Sequence, residues 1–491
     1  MSSIENRIIV LDNFQGGFAP GYWTQDYPSV GSLDQAGAMT DADIVNKPGL
    51  LSQGLDATAW GTSATVTTQV KGITKNVDTS SNYYGVGGAK LYKFANSIVD
   101  SSTGWPHTIA GTSVAGEDVA IYNISSSVYV YYSHNNNTIG DVGRVDVGQT
   151  IFYDTFLSTI ATGAFNMNKS YPHPMLQGPD NILYVGNGKD LVSINNSNTA
   201  NSSALDLPTG FVITDVKWMS NRFYIAANNP NTDSQSNHAR IFIWDGTSPS
   251  WEIDFGTIGR ITALYEYNNV MYCWFIDSSN LSHFGYISGG QIIDIDMSNA
   301  QYSPDYSQVT QWRNHIVWRD SNGKFWAYGA IHPGLPKAIS QFLTLAGGGI
   351  KIHTSTVVVS GTTGMYDWPG NFNTTSRYKT IMFPLTGTNG IQKSDIKDIG
   401  IFYRGANGQN IKTGASVDAY FEYETLTGAI ASASIGTISL ATSSAQGYRS
   451  FGFQKGEQAI AGRICFDWRN GSTSNPVNIK AVMIDRDLID L

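Results

Sequence analysis

The chain has 491 residues, a formal net charge of −9 at pH 7 and a charged fraction of only 14%. This length exceeds what one hydrophobic core usually serves, so we expect either two domains or one large repeat assembly with an appendage. The acidic balance, without a visible cluster of Lys and Arg, argues against a high-affinity nucleic-acid binder. The low charge indicates a surface of uncharged polar residues, as suits a protein embedded in an assembly.

Cysteine content and the amino terminus bear on where the chain is found. The two cysteines, Cys273 and Cys465, lie in apolar strand contexts and are predicted to be small buried thiols, since two residues cannot make a disulfide framework. Residues 1–14 lack the pattern of a secretory signal, and no run approaches the roughly 20 apolar residues of a membrane helix. We therefore expect no membrane span and a protein made in the cytoplasm or packed there into a particle.

Residues 1–60 are predicted to be an N-terminal arm or leader with one strand near residues 7–14. Its apolar residues Ile8, Ile9 and Val10 have two interpretations. The strand completes the last blade of a propeller and closes the ring, or it reaches a neighbouring subunit.

One small pattern repeats seven times: a short run rich in Val, Ile, Tyr and Trp, followed by a turn and a second apolar strand. The runs occupy residues 82–87, 127–132, 181–186, 221–226, 269–274, 314–319 and 356–361. Their starts are separated by 45, 54, 40, 48, 45 and 42 residues, which is the spacing of four-stranded propeller blades. The pattern predicts a β-propeller of about seven blades over residues 61–373, with little helix.

Two segments extend the repeat, at residues 166–175 and 229–239. Long loops on a rigid scaffold often contact partners, and flexible solvent-facing excursions are an equally good interpretation.

Beyond residue 373 the strands become longer and alternate more clearly. Seven of them are predicted, at residues 378–385, 395–405, 415–425, 435–442, 448–454, 461–470 and 477–487. They indicate an antiparallel β-sandwich over residues 374–491. The predicted fold class is therefore all-β, a seven-bladed β-propeller followed by a C-terminal antiparallel β-sandwich.

The sequence offers no catalytic, cofactor-binding or metal-binding residue set, and we expect neither a cofactor nor an enzyme. Its eight histidines are scattered and lack metal-ligand spacing: His107, His134, His173, His238, His283, His315, His332 and His353. No nucleophile elbow or phosphate-binding loop is found, and the Gly-rich stretch 186–189 is predicted to be a hairpin turn. We expect Asp294 and Asp296 to be exposed on a blade edge and Asp320 to begin a turn, without a calcium site.

Phrases at both ends and in one blade resemble tail and tail-associated propeller proteins of double-stranded DNA bacteriophages. They are DNFQGGFAPGYW (12–23), DIVNKPGLL (43–51), IFIWDGTSPSWEI (241–253) and the C-terminal DIKDIGIFY, ASVDAYFEY and PVNIKAVMID. The resemblance implies a structural virion protein, a nozzle- or hub-like tail component that forms a ring at the genome exit path. It implies as partners copies of the chain itself and other tail or head-tail connector proteins, with viral DNA passing without specific binding. The chain is shorter than many nozzle proteins, so a tail accessory or a head-tail adaptor decoration is also open.

The alternative is a sugar-recognising propeller, either a receptor-binding protein for a host glycan or a sialidase-like glycosidase. It would use Trp218, Trp244, Trp274 and Trp326 for stacking on sugar rings, and arginines converging at the axis from among Arg222, Arg240, Arg260, Arg313 and Arg319. The segment DSNGKFW (320–326) resembles the Asp-box of sialidase-type propellers, but its Asp lies three rather than two residues before the Gly and it occurs once.

Overall fold

The structure is a computed structural model. It describes residues 8–11, 36–40, 42–43, 51–53, 55–62, 66–75, 82–95, 98–124, 127–147, 150–160, 167–229, 238–299, 302–330, 337–353, 356–370, 375–380, 383–385, 393–405, 416–425, 429–439, 446–452, 458–470 and 477–489.

The strands of the first half of the chain are listed in chain order. Before the first repeat come β1 (Ile8–Leu11), β2 (Ala36–Thr40), β3 (Ala42–Asp43), β4 (Ser52–Gln53) and β5 (Thr58–Ala59). The first repeat holds β6 (Gly61–Thr62), β7 (Gly72–Lys75), β8 (Asn82–Gly87), β9 (Lys90–Ala95), β10 (Ile98–Val99) and β11 (His107–Thr108). The second and third hold β12 (Ala115–Ile124), β13 (Ser127–Asn135), β14 (Gly140–Asp146), β15 (Ile151–Tyr153), the helix α1 (Phe156–Ile160), β16 (Met175–Gln177), β17 (Leu183–Asn187), β18 (Asp190–Ile194) and β19 (Ala200–Asp206).

The strands of the second half follow. The fourth and fifth repeats hold β20 (Val212–Met219), β21 (Arg222–Asn229), β22 (His238–Trp244), β23 (Ile253–Ile258), β24 (Arg260–Tyr267), β25 (Val270–Ile276), β26 (Leu281–Ser288) and β27 (Gln291–Asn299). The sixth and seventh hold β28 (Val309–Trp312), β29 (His315–Arg319), β30 (Lys324–Gly329), β31 (Ala338–Thr344), β32 (Gly347–His353), β33 (Thr356–Gly361) and β34 (Met365–Trp368). The C-terminal strands are β35 (Ser376–Thr380), β36 (Phe383–Pro384), β37 (Lys393–Gly405), β38 (Ser416–Thr425), β39 (Ile430–Ser439), β40 (Gln446–Gly452), β41 (Gln458–Asn470) and β42 (Val477–Ile489).

Seven separate sheets confirm the predicted seven-bladed propeller. Five are four-stranded meanders in simple chain order, β12–β15, β16–β19, β20–β23, β24–β27 and β28–β31. The first sheet, built on β7–β10, also includes β6 and β11, and the seventh runs β32-β33-β34-β5. Each of the seven predicted apolar runs overlaps the second strand of a blade, and these strands are mostly buried because neighbouring blades cover both of their faces.

The ring is closed by residues other than those proposed from the sequence. Strand β5 pairs with β34 and so completes the seventh blade. Blade seven then joins blade one through the Gly349 N–H, which donates to Val70 O at 2.7 Å. The expectation that Ile8, Ile9 and Val10 close the ring is wrong, because β1 pairs antiparallel with β42 and not with a blade strand. In this pairing Leu11 lies opposite Val482 and is 2% exposed.

The C-terminal strands form the predicted antiparallel sandwich with additions from the amino terminus. By hydrogen bonding the ten strands form one continuous sheet, with β1, β42, β37 and β40 in one group and β2, β35, β41, β38, β39 and β36 in the other. The two groups are joined where β37 pairs with β41 at Ser394 and Asp395. Alternation in β38 buries Val417, Ala419 and Phe421 completely, as a sheet with one wet face requires.

By compactness the chain divides into residues 59–323 with 345–368, and residues 1–58 with 324–344 and 369–491. The sequence analysis predicts that residues 1–60 are an N-terminal arm or leader. In the structure β1 and β2 instead pair with strands of the sandwich, β42 and β35.

Candidate functional site

The first strands of the blades carry β-bulges that aim side chains at the propeller axis. In β12, β20 and β24 the register shifts by one residue at Glu117, Thr214 and Thr262, and in β32 it also shifts by one, across Gly348 and Gly349. Glu117, Thr214, Thr262 and Gly348 all line one cavity of about 490 Å³. Because every blade contributes to its wall, we call it the upper axial cavity.

The upper axial cavity has a polar wall with charges of both signs. Lys71 Nζ lies 2.9 Å from Glu117 Oε2, which ties the first blade to the second. Arg260 and Asp305 also line the cavity and are exposed.

A second cavity of about 320 Å³, the lower axial cavity, is likewise lined by all seven blades. Tyr306 and Ser307 line both cavities and so lie between them. The Tyr306 hydroxyl donates to Glu117 O at 3.1 Å, and burial raises the pKa of Tyr306 well above its ordinary value of 10, so the side chain stays neutral. The propeller axis is thus divided by a hydrogen-bonded tyrosine.

Two buried aspartates beside these cavities accept hydrogen bonds from the next blade and so connect neighbouring blades. Asp118 Oδ2 accepts from Met175 N at 2.8 Å in the next blade, and Asp215 Oδ2 accepts from Leu264 N at 2.7 Å in the same way. Burial raises the pKa of Asp118 to about 6 and raises that of Asp215, although backbone N–H groups oppose the shift in both. Each of these aspartates immediately follows a bulged residue. At each bulge, therefore, one residue lines the upper axial cavity and the next residue bonds to the neighbouring blade.

Two lysines face the lower axial cavity. Lys217 Nζ lies 2.5 Å from Asp215 Oδ1. Burial lowers the pKa of Lys351, and the charge of Lys217 lowers it further, while Asp118 acts in the opposite sense. The lower cavity therefore brings together two half-buried lysine side chains.

The histidines are dispersed, as the sequence indicated. His107 Nε2 lies 2.7 Å from Asp154 Oδ1, and His283 lies between Asp277 and Asp294. His134, His173 and His315 are buried, and burial lowers each pKa to about 4. His238 begins β22 and is exposed, whereas His332 and the His353 side chain lie outside the described residues. Within the described ranges, no group of three or more His, Cys, Asp or Glu is placed to hold a metal ion.

The acidic residues singled out from the sequence behave differently from one another. Asp320 begins a turn, since Asn322 N donates to its Oδ1 at 2.9 Å. Asp294 is exposed, whereas Asp296 is mostly buried and burial raises its pKa to about 6. The edge-exposure interpretation is therefore wrong for Asp296, because a bulge in β27 between these residues changes the register against β26.

The five arginines of the glycan alternative do not assemble at the axis. Arg222 lies 2.5 Å from Glu252, Arg240 pairs with Asp254, and Arg313 covers the Trp312 ring at 4.3 Å. Arg319 is 1% exposed and donates to the carbonyls of Ser360 and Gly347. Only Arg260 lines an axial cavity among the described residues.

The four tryptophans of that alternative belong to blade cores. Trp244, Trp274 and Trp326 are 2%, 0% and 6% exposed, and Trp218 packs on Phe223 with the ring centroids 4.5 Å apart. The three buried tryptophans offer no open ring face for stacking on a sugar, and Trp218 is half-buried. The cysteines Cys273 and Cys465 are buried free thiols, as predicted.

The remaining sequence features are local turns or fall outside the described residues. Residues 186–189 form the predicted turn between β17 and β18, with Gly188 at φ +60°. In the blade phrase 241–253, Asp245 accepts from Thr247 N and Ser248 N. The phrase 12–23 and residues 230–237 of the second extension lie outside the described residues.

Sequence reasoning missed the axial residues, although a signal was present. The phrases Glu-Asp-Val (117–119), Thr-Asp-Val (214–216) and Thr-Ala-Leu (262–264) occupy equivalent bulges and lie 97 and 48 positions apart, two blades and one blade. Aligning blades on their first strands instead of their second would have exposed the phrases.

Comparisons with known proteins give no family. No family model and no curated protein matches this sequence. A computationally designed protein, Ika8, is 11% identical over 67% of this chain and 87% of its own, with a TM-score of 0.36. A chain of a mitotic checkpoint complex is 11% identical over 70% of this chain and 98% of its own, with a TM-score of 0.41. Likeness at this level carries no functional argument, and the blade count rests on the strand pairing of this chain.

In the described part of the chain, no helix combines the length and apolar character needed to cross a membrane.

Proposed function

We propose that this chain is a structural virion protein of a tailed bacteriophage, a nozzle- or hub-like tail component that assembles with copies of itself into a ring at the genome exit path. The phrases at both ends of the chain and in the fourth blade support the virion assignment. The low charge of the whole chain supports a surface made for contacts within an assembly.

The structural observation that carries the proposal is an apolar outer face on the sandwich. Val10, Phe402 and Tyr448 are 52%, 38% and 46% exposed, and strand register places them on one face with Ala481 and Met483. We call these five residues the sandwich apolar face. Neighbours on the opposite face of the same strands, such as Ile401 and Val482, are fully buried. An apolar face left open in a single chain is the kind of surface that subunit contacts cover.

A ring needs a second, different surface on each copy, because head-to-tail contacts join unlike patches. Strand β15 offers one, since Ile151 and Tyr153 alternate outward at the edge of the second blade and are 43% and 45% exposed. We propose that the sandwich apolar face of one copy packs on this β15 patch of the next.

The genome path in this proposal runs inside the ring of copies and not along a propeller axis. Tyr306 lies between two axial cavities of about 490 and 320 Å³, and volumes of this size hold small molecules and not a DNA duplex. The net charge of −9 disfavours adhesion of phosphates to the wall of such a ring.

The virion assignment is tested by a tag placed after Leu491 and negative-stain microscopy of purified particles. We expect label on the tail. Label that is absent from particles while the tagged chain is present in the lysate would refute the proposal.

The ring contact is tested by Phe402→Glu and, separately, Tyr153→Glu, each of which puts a charge into an apolar contact. We expect mass photometry to show the wild-type ring replaced by monomers in both variants. The matched control is Ile253→Glu, which charges an exposed residue outside both patches and should leave the ring intact. Rings that survive both patch variants would contradict the proposed contact.

A further inference from the structure

The lower axial cavity has the size of a small-molecule site. Its volume of about 320 Å³ lies in the usual range of such sites, and its wall combines apolar and polar residues in about equal measure. Ile73, Ile121 and Ile350 are buried in the wall, and Met175 and Val309 complete the apolar side.

The titratable groups that face the cavity come from four blades and the Tyr306 segment. They are Asp118, Lys217, Tyr265, Lys351 and Tyr306. Burial raises the pKa of Tyr265 to about 12 and raises that of Tyr306, so both tyrosines are neutral near pH 7. The charge of the cavity is therefore set by the aspartate and the two lysines.

The carboxylates near the lysines are already engaged by backbone N–H groups. Asp118 accepts from Val119 N and Met175 N at 2.8 Å each. Asp215 accepts from Val216 N and Leu264 N, and Lys217 is its one cationic partner. The two carboxylates are therefore held in place by the backbone, and Lys217 rather than Lys351 is the lysine that pairs with one of them.

Lys351 forms no ion pair within the described ranges, and the charge of Asp118 attracts it only from a distance. Its ammonium makes no hydrogen bond with any residue in the described ranges, and the residue is half-buried. A desolvated cation is costly until an anion reaches it. Asp118 faces the cavity together with Lys217 and Lys351, so the three ionised groups leave one net positive charge. A monoanion balances this charge, whereas a dianion such as phosphate exceeds it. An apolar body on the monoanion fits the apolar residues of the wall.

We propose that the lower axial cavity binds a small monocarboxylate with a short apolar tail. The carboxylate accepts hydrogen bonds from Lys351 and Lys217. The tail lies against Ile73, Ile121 and Met175. This site is independent of the ring proposed above, since none of its residues belongs to the sandwich apolar face or the β15 patch.

The proposal is tested by isothermal titration calorimetry of the full chain with acetate, butanoate and hexanoate. We expect saturable binding whose affinity rises with tail length, and at least tenfold weaker binding of the uncharged hexanamide and of inorganic phosphate. Absence of hexanoate binding, or phosphate binding as tightly as hexanoate, would overturn it.

Lys351→Met keeps the length of the side chain and removes its charge. We expect it to weaken hexanoate binding at least tenfold, whereas Lys189→Met, a surface lysine paired with Asp190 and Asp206 outside the cavity, should leave binding unchanged. Equal affinity of Lys351→Met and wild type would overturn the assignment. If Lys351→Met does not fold, crystals of the wild-type chain soaked in hexanoate provide the second test. Electron density for a carboxylate beside Lys351 supports the site, and an empty cavity refutes it.

Discussion

Replacing Arg319 with alanine should cost about 4 kcal/mol of the free energy of unfolding of the propeller. Its guanidinium is buried, and it joins blade six to blade seven by donating to the Ser360 carbonyl at 3.0 Å and to the Gly347 carbonyl. The variant leaves both carbonyls without this donor in a buried place and opens a cavity where the side chain was. Urea unfolding monitored by tryptophan fluorescence measures the loss.

Arg313→Ala is the matched control for Arg319. Its guanidinium covers the Trp312 ring at 4.3 Å, a contact that contributes about 0.5–1 kcal/mol at exposed sites. Arg319→Lys should recover only part of the loss, because an ammonium cannot reproduce the planar fork that reaches two carbonyls. Equal unfolding midpoints for Arg319→Ala and Arg313→Ala would contradict a blade-joining role for Arg319.

Asp215→Ala should be the next most damaging change, with a loss of about 3 kcal/mol. The carboxylate accepts from Leu264 N in the following blade, from Val216 N and from Lys217, and it is 1% exposed. Removing it leaves buried N–H donors unsatisfied and Lys217 without its partner, which costs more than the intact pair contributes. The same urea titration gives the magnitude.

Asp206→Ala provides the comparison for Asp215. Asp206 also pairs with a lysine, Lys189, but its side chain is 59% exposed, and pairs of this kind contribute ~0–1 kcal/mol. If Asp206→Ala lowers the free energy of unfolding as much as Asp215→Ala does, the hydrogen bond from Leu264 N to Asp215 stabilises the propeller no more than an exposed ion pair.

The blade count could be predicted because the second strand of every blade is covered on both faces. Such strands read as nearly continuous apolar runs, for example residues 269–274 and 314–319, and their spacing survives differences in loop length. The long C-terminal strands could be predicted for a related reason, since β38 alternates buried and half-buried residues along its length.

Ring closure and the destination of β1 could not be predicted from local pattern. Strand β5 has only two residues, Thr58 and Ala59, and both are exposed, so no periodicity marks it. The partner of β1, strand β42, lies at the far end of the chain, and the continuous apolar run of residues 8–11 fits any open sheet edge equally well.

The axial cavities were missed for a different reason. Each blade contributes only one or a few residues to the cavity walls. The side chains of Glu117, Thr214 and Thr262 point inward because each lies at a β-bulge. A bulge breaks the alternation of apolar and polar residues by which strands are predicted from sequence. Lys351 lies two residues after the glycine run 347–349, which gave no hint of a charged group in the cavity wall.

The most direct test of the whole account is a cryo-EM reconstruction of the virion in which we propose that this chain is a tail component. The account predicts a ring of seven-bladed propellers around the tail channel, with Tyr306 closing each propeller axis and the sandwich apolar face covered by the neighbouring copy. A particle without this chain, or one in which that face is open to solvent, would contradict it.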